Sequence, residues 1–398
     1  MNTLNKFLLS FWVVSLGILV AVMVTMDKDT PILIAEGQMT TPVEGGKEQL
    51  AQSSDIKETV EPVTGLEPVK EPEIEPQPEI VKETMRLAMV GDVLLHLRLA
   101  QYEDFTSSFA AVAPTMQSYD YLIANQESPP VGNNYALSGF PQFSSPPHIL
   151  RDLQNAGVDM VTIANNHTVD KGEGGVRTFF ENLDEYGMPY VGAYKNAEDK
   201  ANDRIIEVGS IKIGLLAYTY GTNGLYLPKG SPYIINYIDE TKIKADIELL
   251  KEEVDVVAVS MHWGPEYAYS ESDYQKHYAK VLNEAGAHIV LGTHPHVLQP
   301  YKKLVTEQGH ETHVFYSLGN FFSTILTIPN TMIGGIASLE ITKEGDVITI
   351  RQPELYATSV LKDTDGIYRV YPLKDVEQRS VQNLDWVKKI IGDEVTVY

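Results

Sequence analysis

At 398 residues, the chain is long enough for about two domains of average size, or for one large α/β domain with additional segments. Its formal net charge of -23 and its pI of about 4.8 argue against a nucleic-acid-binding groove and against peripheral binding to anionic lipid. The chain has no cysteine, so disulfide bonds and thiolate metal ligands are excluded, and any transition metal would be bound by nitrogen and oxygen atoms.

The first two segments predict a membrane anchor and a linker. Residues 7–24 are uncharged and apolar, and these eighteen residues would rise about 27 Å as a helix, enough to cross a bilayer core. Because no good small-x-small cleavage site follows, we predict an uncleaved single-pass transmembrane helix within residues 1–26, with a removed signal peptide as the alternative. The rest of the chain would then lie on the extracytoplasmic side of the cell membrane. Residues 27–84 are rich in Pro and Glu and predict a disordered stalk.

Residues 85–375 alternate between apolar runs of strand length and helical patterns, which predicts an α/β domain with a parallel or mixed sheet. The helical patterns at 176–186 and 274–285 end at Gly187 and Gly286, which suit helix C-termini. Three later runs, 337–341, 347–350 and 354–357, predict a meander that completes a second sheet, and 376–398 form a C-terminal tail. The strand-length runs that precede them are 87–90, 121–124, 160–164, 211–217, 254–261, 289–291 and 314–316.

Polar side chains follow five of these strands in succession, where parallel strands of one sheet would share an edge. Neutral imidazole suits zinc, manganese and iron, so the histidines among them predict a metal site. In an extended backbone, residues i and i+2 share a face, so His294 and His296 could aim both rings at one point. Taken singly, each group has an ordinary alternative, such as a turn or helix cap for Asp92 or a core position for His262. The strand-end groups are Asp92 with His96 beyond it, 125–127, 165–167 with Asp170, 262–264, 294–296 and 317–320.

Six motifs follow one another between Leu87 and Phe322: GDVLLH, ANQESP, ANNHTVDKG, SMHWGPEY, GTHPHVLQP and FYSLGNFF. As an ordered set they resemble the CapA family of poly-γ-glutamate capsule synthesis proteins, whose domain is related to calcineurin-like metallophosphoesterases. The resemblance implies a two-sheet α-β-β-α sandwich around two divalent ions, of Mn, Fe or Zn. It implies that Asp92 and His296 hold one ion. The other ion would be held by Asn166, His262 and His294, with Glu127 bridging the two. His167 matches the protonating histidine of the family, and we assign it a catalytic role together with Asp170.

The chain departs from the phosphoesterase pattern at the first motif and at the bridging position. Leucine stands at position 94, where an Asp-x-His motif would have histidine, which leaves His96 as a substitute, and Glu127 replaces an aspartate. CapA-type proteins commonly have histidine where this chain has Thr293. Two hypotheses remain open. One is a membrane-anchored metal-dependent hydrolase or transferase that acts during export of poly-γ-glutamate. The other is a non-catalytic accessory subunit that binds the polymer or the membrane-embedded synthase. Neither involves nucleic acid.

Overall fold

The computed structural model describes residues 81–398, which fold as a mixed α/β domain. In the first half of this part of the chain the strands are β1 (Lys82–Leu94), β2 (Tyr121–Gln126), β3 (Met160–Thr162), β4 (Tyr190–Val191), β5 (Ala193–Tyr194), β6 (Ile205–Val208), β7 (Ile211–Thr219) and β8 (Ile234–Ile235). In the second half they are β9 (Val256–His262), β10 (Ile289–Thr293), β11 (Leu298–Val305), β12 (Glu311–Leu318), β13 (Asn320–Ser323), β14 (Ile333–Glu344), β15 (Val347–Lys362), β16 (Tyr368–Pro372) and β17 (Thr396–Val397).

Eight of the ten α-helices of the described residues lie before residue 290, between the strands of that region. They are α1 (Leu97–Ala100), α2 (Thr106–Phe109), α3 (Ala113–Met116), α4 (Ile149–Ala156), α5 (Gly172–Glu185), α6 (Ala197–Ala201), α7 (Glu240–Leu250), α8 (Asp273–Ala285), α9 (Leu373–Val376) and α10 (Leu384–Ile391), with a 3-10 turn at Pro329–Met332. The two long predicted helices are confirmed. α8 begins at a capping box formed by Ser272 and Gln275, and it ends at Gly286, whose φ of +103° is a left-handed value that favours glycine.

Two larger sheets carry the domain. The first has the order β16-β15-β14-β1-β2-β3-β4, with β13 also paired to β1 and β17 to β15. In it β1 is parallel to β2 and antiparallel to β14. The second has the order β11-β12-β10-β9-β7-β6, in which the four central strands are parallel and the two edge strands antiparallel. A small third sheet pairs β5 with β8.

The two larger sheets pack face to face between layers of helix. Along β9, Val256 and Ala258 belong to the buried cluster shared by both sheets, whereas Val257 and Val259 belong to the cluster beneath α7 and α8. β1 alternates in the same way, with Met89 facing the other sheet and the neighbouring residues packing with α2, α4 and α5. Strands buried on both faces need continuous apolar sequence, which is why the predicted runs match the observed strands.

The C-terminal strands were placed in the wrong sheet by the sequence analysis. β14, β15 and β16 do not complete a second sheet. They extend the first sheet beside β1, because β14 pairs with β1 along almost its whole length. The runs at 347–350 and 354–357 form the single strand β15, which is interrupted only by a bulge near Gln352, where φ is +52°. In the predicted tail, α10 packs on the inter-sheet cluster and β17 pairs with β15.

The predicted anchor within residues 1–26 lies outside the described residues, as does almost all of the predicted stalk. β1 begins at Lys82, so the last three residues of the predicted stalk belong to the first sheet. From residue 81 onward, no helix combines the length and apolar character needed to cross a membrane.

Candidate metal centre

The candidate centre lies where β1, β2, β9 and β10 end, with β3 contributing the loop that follows it. At this edge, the backbones of neighbouring segments lie unusually close to one another. A Cβ atom added at Gly91 would lie 1.9 Å from the carbonyl oxygen of Gly319, and one at Gly292 would lie 1.9 Å from that of Tyr316. Glycine is therefore required at both positions, and β1 and β10 deliver the residues that follow them into one buried cluster.

Three of the predicted ligands form a compact group. Glu127, His294 and His296 each offer one ligand atom, and these atoms lie within 4.8 Å of one another. Glu127 Oε1 is 3.6 Å from His262 Nε2 and 3.9 Å from His296 Nε2, so the carboxylate lies between the two histidine positions. All four side chains are buried. A buried group of carboxylate and imidazole atoms at this spacing can hold a divalent cation.

Several atoms of this group have no hydrogen-bond partner within the described protein. They are both carboxylate oxygens of Glu127 and the Nδ1 atom of His294. Buried polar atoms are normally paired, because leaving one unpaired costs about 1–3 kcal/mol. Burial, and then the charge of Asp92, raise the pKa of Glu127 well above its usual value. A cation among these atoms would satisfy them and balance the carboxylate charge, so the residues fit a metal ion.

Asp92 and His296 form the first of two close pairs. Asp92 Oδ2 is 3.0 Å from His296 Nδ1, and Asp92 Oδ1 accepts a 2.8 Å hydrogen bond from Asn125. The Oδ1 atom of Asn320 also lies 3.0 Å from His296 Nδ1. Burial by itself would lower the pKa of His296, but the charges of Glu127 and Asp92 outweigh it and raise that pKa to about 9.

Asn166 and His262 form the second pair. His262 Nε2 is 2.9 Å from Asn166 Oδ1, and its other ring nitrogen is 3.0 Å from the hydroxyl oxygen of Thr293. Burial, followed by the nearby His294, lowers the pKa of His262 well below its usual value, so the ring is neutral and suited to ligation. Adjacent ligand atoms of an octahedral ion with bonds of about 2.1 Å are about 3.0 Å apart. The separations of 2.9 Å and 3.0 Å in the two pairs therefore match shared ligation of one ion by each pair.

The backbone of the HPH segment differs from the prediction. We expected an extended strand end, but β10 stops at Thr293, and both His294 and His296 have left-handed backbones, with φ of +94° and +59°. Such values are uncommon for residues other than glycine. The backbone N–H of His294 donates to Asp92 Oδ2 at 3.3 Å, and Pro295 O accepts from the N–H of Tyr267 at 2.8 Å. Contacts with other strands, and not strand alternation, bring the two rings together.

His167 and Asp170 form a buried pair beside the centre. His167 Nδ1 donates to Asp170 Oδ2 at 2.8 Å, and the same oxygen accepts from the backbone N–H of Phe143 at 2.6 Å. The edge of the Phe143 ring packs against the His167 imidazole, with centroids 4.6 Å apart. His167 lies close enough that its charge would lower the pKa of both His262 and His294. The ring of His167 is thus fixed in tautomer and orientation, with Nε2 left available.

His96 lies apart from the compact group. Its Nδ1 is 3.4 Å from the Ser323 hydroxyl, and its ring packs edge-to-face with Phe143. Burial lowers the pKa of His96 to about 4. Leu94, which occupies the position where the first motif of the phosphoesterase pattern has histidine, is buried. The described geometry therefore gives the first pair no histidine from this motif.

Four residues that contact the ligand side chains were given no role by the sequence analysis. Asn125 and Asn320 were recognised only as polar strand-end residues, and Thr293 only as a departure from the family. Tyr220 was missed entirely, although its ring lies 4.6 Å from that of His294. It directly follows β7, a strand whose end carries no charged or histidine residue, so no ligand-type side chain marks this position.

Comparison with known proteins identifies the family. The family described as "Bacterial capsule synthesis protein PGA_cap" matches residues 86–324, well over half of the chain, and the chain belongs to this family. It is 30% identical over 251 residues to "Capsule biosynthesis protein CapA" of Bacillus anthracis, covering 60% of each chain. It is 28% identical over 246 residues to "PGA biosynthesis protein CapA" of Bacillus subtilis (strain 168), covering 60% of this chain and 63% of that protein.

The matched region thus spans less than two thirds of the length of these curated relatives. Among solved structures, the NAD nucleotidase NadN of Haemophilus influenzae aligns with a TM-score of 0.46 and 12% identity, over 80% of this chain and 57% of that chain.

Proposed function

We propose that this protein acts in the synthesis or export of poly-γ-glutamate capsule, as a membrane-anchored extracytoplasmic protein with a metal-dependent hydrolase domain of metallophosphoesterase type. The capsule role is supported by family membership and by what the two Bacillus relatives are named for. The hydrolase type is supported by the two face-to-face sheets with outer helices and by the polar cluster at their edge. The anchor is proposed from the apolar sequence of residues 7–24.

The metal centre would be built from the two close pairs and the glutamate between them. One divalent ion would be held by Asp92 and His296. A second would be held by Asn166, His262 and His294. Glu127 would bridge the two ions, each of which would be Mn, Fe or Zn. Ions held there would act as Lewis acids on a bound ester, phosphate or amide group and make a water molecule more acidic. Asn125 and Thr293 would orient Asp92 and His262 from behind, as partners of ligands do in other metal sites.

The observation that carries the hydrolase proposal is the pair of His167 and Asp170. Asp170 accepts from His167 Nδ1–H, so Nε2 of the same ring can hold a proton and deliver it to a departing oxygen. A site that served only to stabilise the fold would have no use for a buried, oriented proton donor beside it. General acid catalysis of this kind typically contributes about 10²- to 10⁴-fold in rate.

The test compares two histidine variants with an exposed control. We expect His167→Ala to keep its bound metal and its thermal stability while losing about 10²- to 10⁴-fold in hydrolysis of bis-p-nitrophenyl phosphate and in polymer output by cells. We expect His294→Ala to lose metal, stability and output together, since metal binding stabilises only the folded state. His277→Ala, on the exposed face of α8, should behave as the parent protein.

A non-catalytic accessory subunit, which binds the polymer or the membrane-embedded synthase, is the second candidate. It is favoured by Leu94, a buried apolar residue at the position where the phosphoesterase motif has a ligand, and by His96, which lies outside the compact group. If cells with His167→Ala made polymer at the parental level while cells with His294→Ala made none, the centre would be structural and the accessory role would replace the hydrolase.

A further inference from the structure

A row of four aromatic rings lies along the candidate centre. The ring of Tyr220 is 4.6 Å from that of His294, His294 is 5.9 Å from His296, and His296 is 6.1 Å from Tyr267. The histidines are buried, whereas Tyr220 is 41% exposed and Tyr267 is partly exposed. The two tyrosines therefore flank the histidine pair on the side that a substrate can reach.

Backbone and side-chain hydrogen bonds tie both tyrosines to the centre. The N–H of Tyr220 donates to the carbonyl oxygen of His262 at 3.0 Å, and its hydroxyl donates to Asn223 Oδ1 at 3.4 Å. Asn223 in turn accepts from the side chain of Asn166 at 3.4 Å. Tyr267 has a left-handed backbone, with φ of +64°, and its N–H donates to Pro295. The tyrosines are thus held by the same turns that present the candidate ligands.

Glu266 is an exposed carboxylate next to Tyr267. After burial, it is the leading cause that raises the pKa of Tyr220 and of Tyr267 to about 12, so its charge reaches both rings. Within residues 81–398, Glu127 and Asp92 lie at ion-pair distance from His262 and His296, whereas no lysine, arginine or histidine forms an ion pair with Glu266. Among these residues the Glu266 carboxylate is thus without a cationic partner.

Aromatic faces together with a carboxylate recognise organic ammonium groups, through cation–π attraction and charge. We propose that Glu266, Tyr220 and Tyr267 form a subsite for an ammonium group of the substrate that the metal centre acts on. This inference rests on the proposed function. In a γ-linked glutamate polymer each internal unit carries a free carboxylate, which Glu266 repels, and the free ammonium group is at the amino terminus. The subsite therefore selects the amino-terminal end of the chain over its interior.

The test uses two small probes that differ only in the ammonium group: γ-glutamylglutamate and its N-acetylated form. Their binding to the full chain, loaded with manganese, is measured by ligand-observed NMR. We expect the parent protein to bind the free amine about tenfold more tightly than the acetylated form. Glu266→Gln should lose this preference by weakening binding of the free amine alone. Glu307→Gln, which changes an exposed glutamate beyond the far end of β11, should keep it.

Equal or tighter binding of the acetylated probe to the parent, retention of the preference by Glu266→Gln, or failure of the free amine to bind would overturn the subsite. Hydrolysis of bis-p-nitrophenyl phosphate, which carries no ammonium group, is measured on the same preparations. Its absence in the metal-loaded parent would overturn the hydrolase proposal, while the binding preference would still report on the subsite. Tyr220→Phe tests the ring separately, because it keeps the aromatic face and should retain the preference.

Discussion

Replacing Glu127 by glutamine should have opposite effects on stability with and without metal. The substitution keeps the size and shape of the side chain but removes its charge. In the metal-free protein both oxygens of Glu127 are buried without a partner, and the charge of Asp92 acts on them. His296 offsets part of the charge of Glu127, but the raised pKa of Glu127 shows that the charged form is disfavoured overall. A disfavoured buried charge costs about 3–5 kcal/mol, whereas an unpaired neutral polar group costs about 1–3 kcal/mol. We therefore expect Glu127→Gln to stabilise the metal-free protein by about 2 kcal/mol.

In the metal-loaded protein the same change should destabilise. A ligand at 100 times its dissociation constant stabilises the fold by about 2.7 kcal/mol. Replacing the carboxylate that would bridge the ions weakens metal binding and should remove much of that stabilisation. For a domain of this size the loss corresponds to a fall in Tm of about 2–4 °C. The assay is thermal unfolding of the parent, Glu127→Gln and the control Glu307→Gln, each after chelation and again with saturating manganese or zinc.

The informative result is a change in Tm that is positive without metal and negative with metal, because a simple packing defect would lower Tm in both conditions. If Glu127→Gln shifted Tm in the same direction with and without metal, Glu127 would not be a ligand. The compact group with His294 and His296 would then owe its spacing to packing alone. Metal content measured on the same samples separates weaker binding from a lost site, and the control should match the parent in both conditions.

Three further outcomes are expected. Gly292→Ala should unfold the domain or lower its Tm sharply, because the added Cβ would lie 1.9 Å from a backbone carbonyl oxygen of β12, whereas Gly221→Ala meets no atom within 4 Å and should be tolerated. Burial lowers the pKa of His288 to about 4, so its contribution to stability is complete above about pH 6.5 and is lost as the pH falls towards 4. His288→Asn keeps an acceptor for the N–H of Val257 but has no imidazole to titrate. Between pH 7.5 and pH 5, the free energy of unfolding measured in urea should fall by about 2 kcal/mol less in this variant than in the parent. Protease added to intact cells should release the domain by cutting within residues 27–84, and cleavage confined to lysates would reverse the proposed orientation.

The strands and their polar ends could be predicted because both are local signals. A strand such as β9, buried on both faces, needs an unbroken apolar run, and His262 ends that run abruptly. Parallel neighbours then bring successive strand ends to one edge, so the candidate ligands could be gathered from sequence although Asp92 and His296 are far apart in the chain. The glycines that end α5 and α8 are local signals of the same kind.

Sheet membership and ring orientation could not be predicted, because they depend on contacts between distant segments. The first seven residues of β14 are all buried, as they could be in either sheet, and only the pairing of β14 with β1 decides its place. The left-handed backbone at His294 and His296 is disfavoured locally, so no sequence rule predicts it. It is supported by Asp92, which accepts from the N–H of His294, and by the loop after β9, which holds Pro295.

From the charge distribution around the candidate centre, we expect metal binding to be coupled to binding of an anionic polymer. Asp92, Glu127 and Asp170 are buried at one edge of the domain, and within residues 81–398 their partners at ion-pair distance are histidines. Without metal, a carboxylate-rich polymer would meet an edge of the same sign. Divalent ions bound as proposed would neutralise Asp92 and Glu127, so the edge beside the exposed Glu266 would no longer repel the carboxylates of the polymer through its buried groups. Because linkage is reciprocal, the polymer should then tighten metal binding by the same factor by which metal tightens polymer binding.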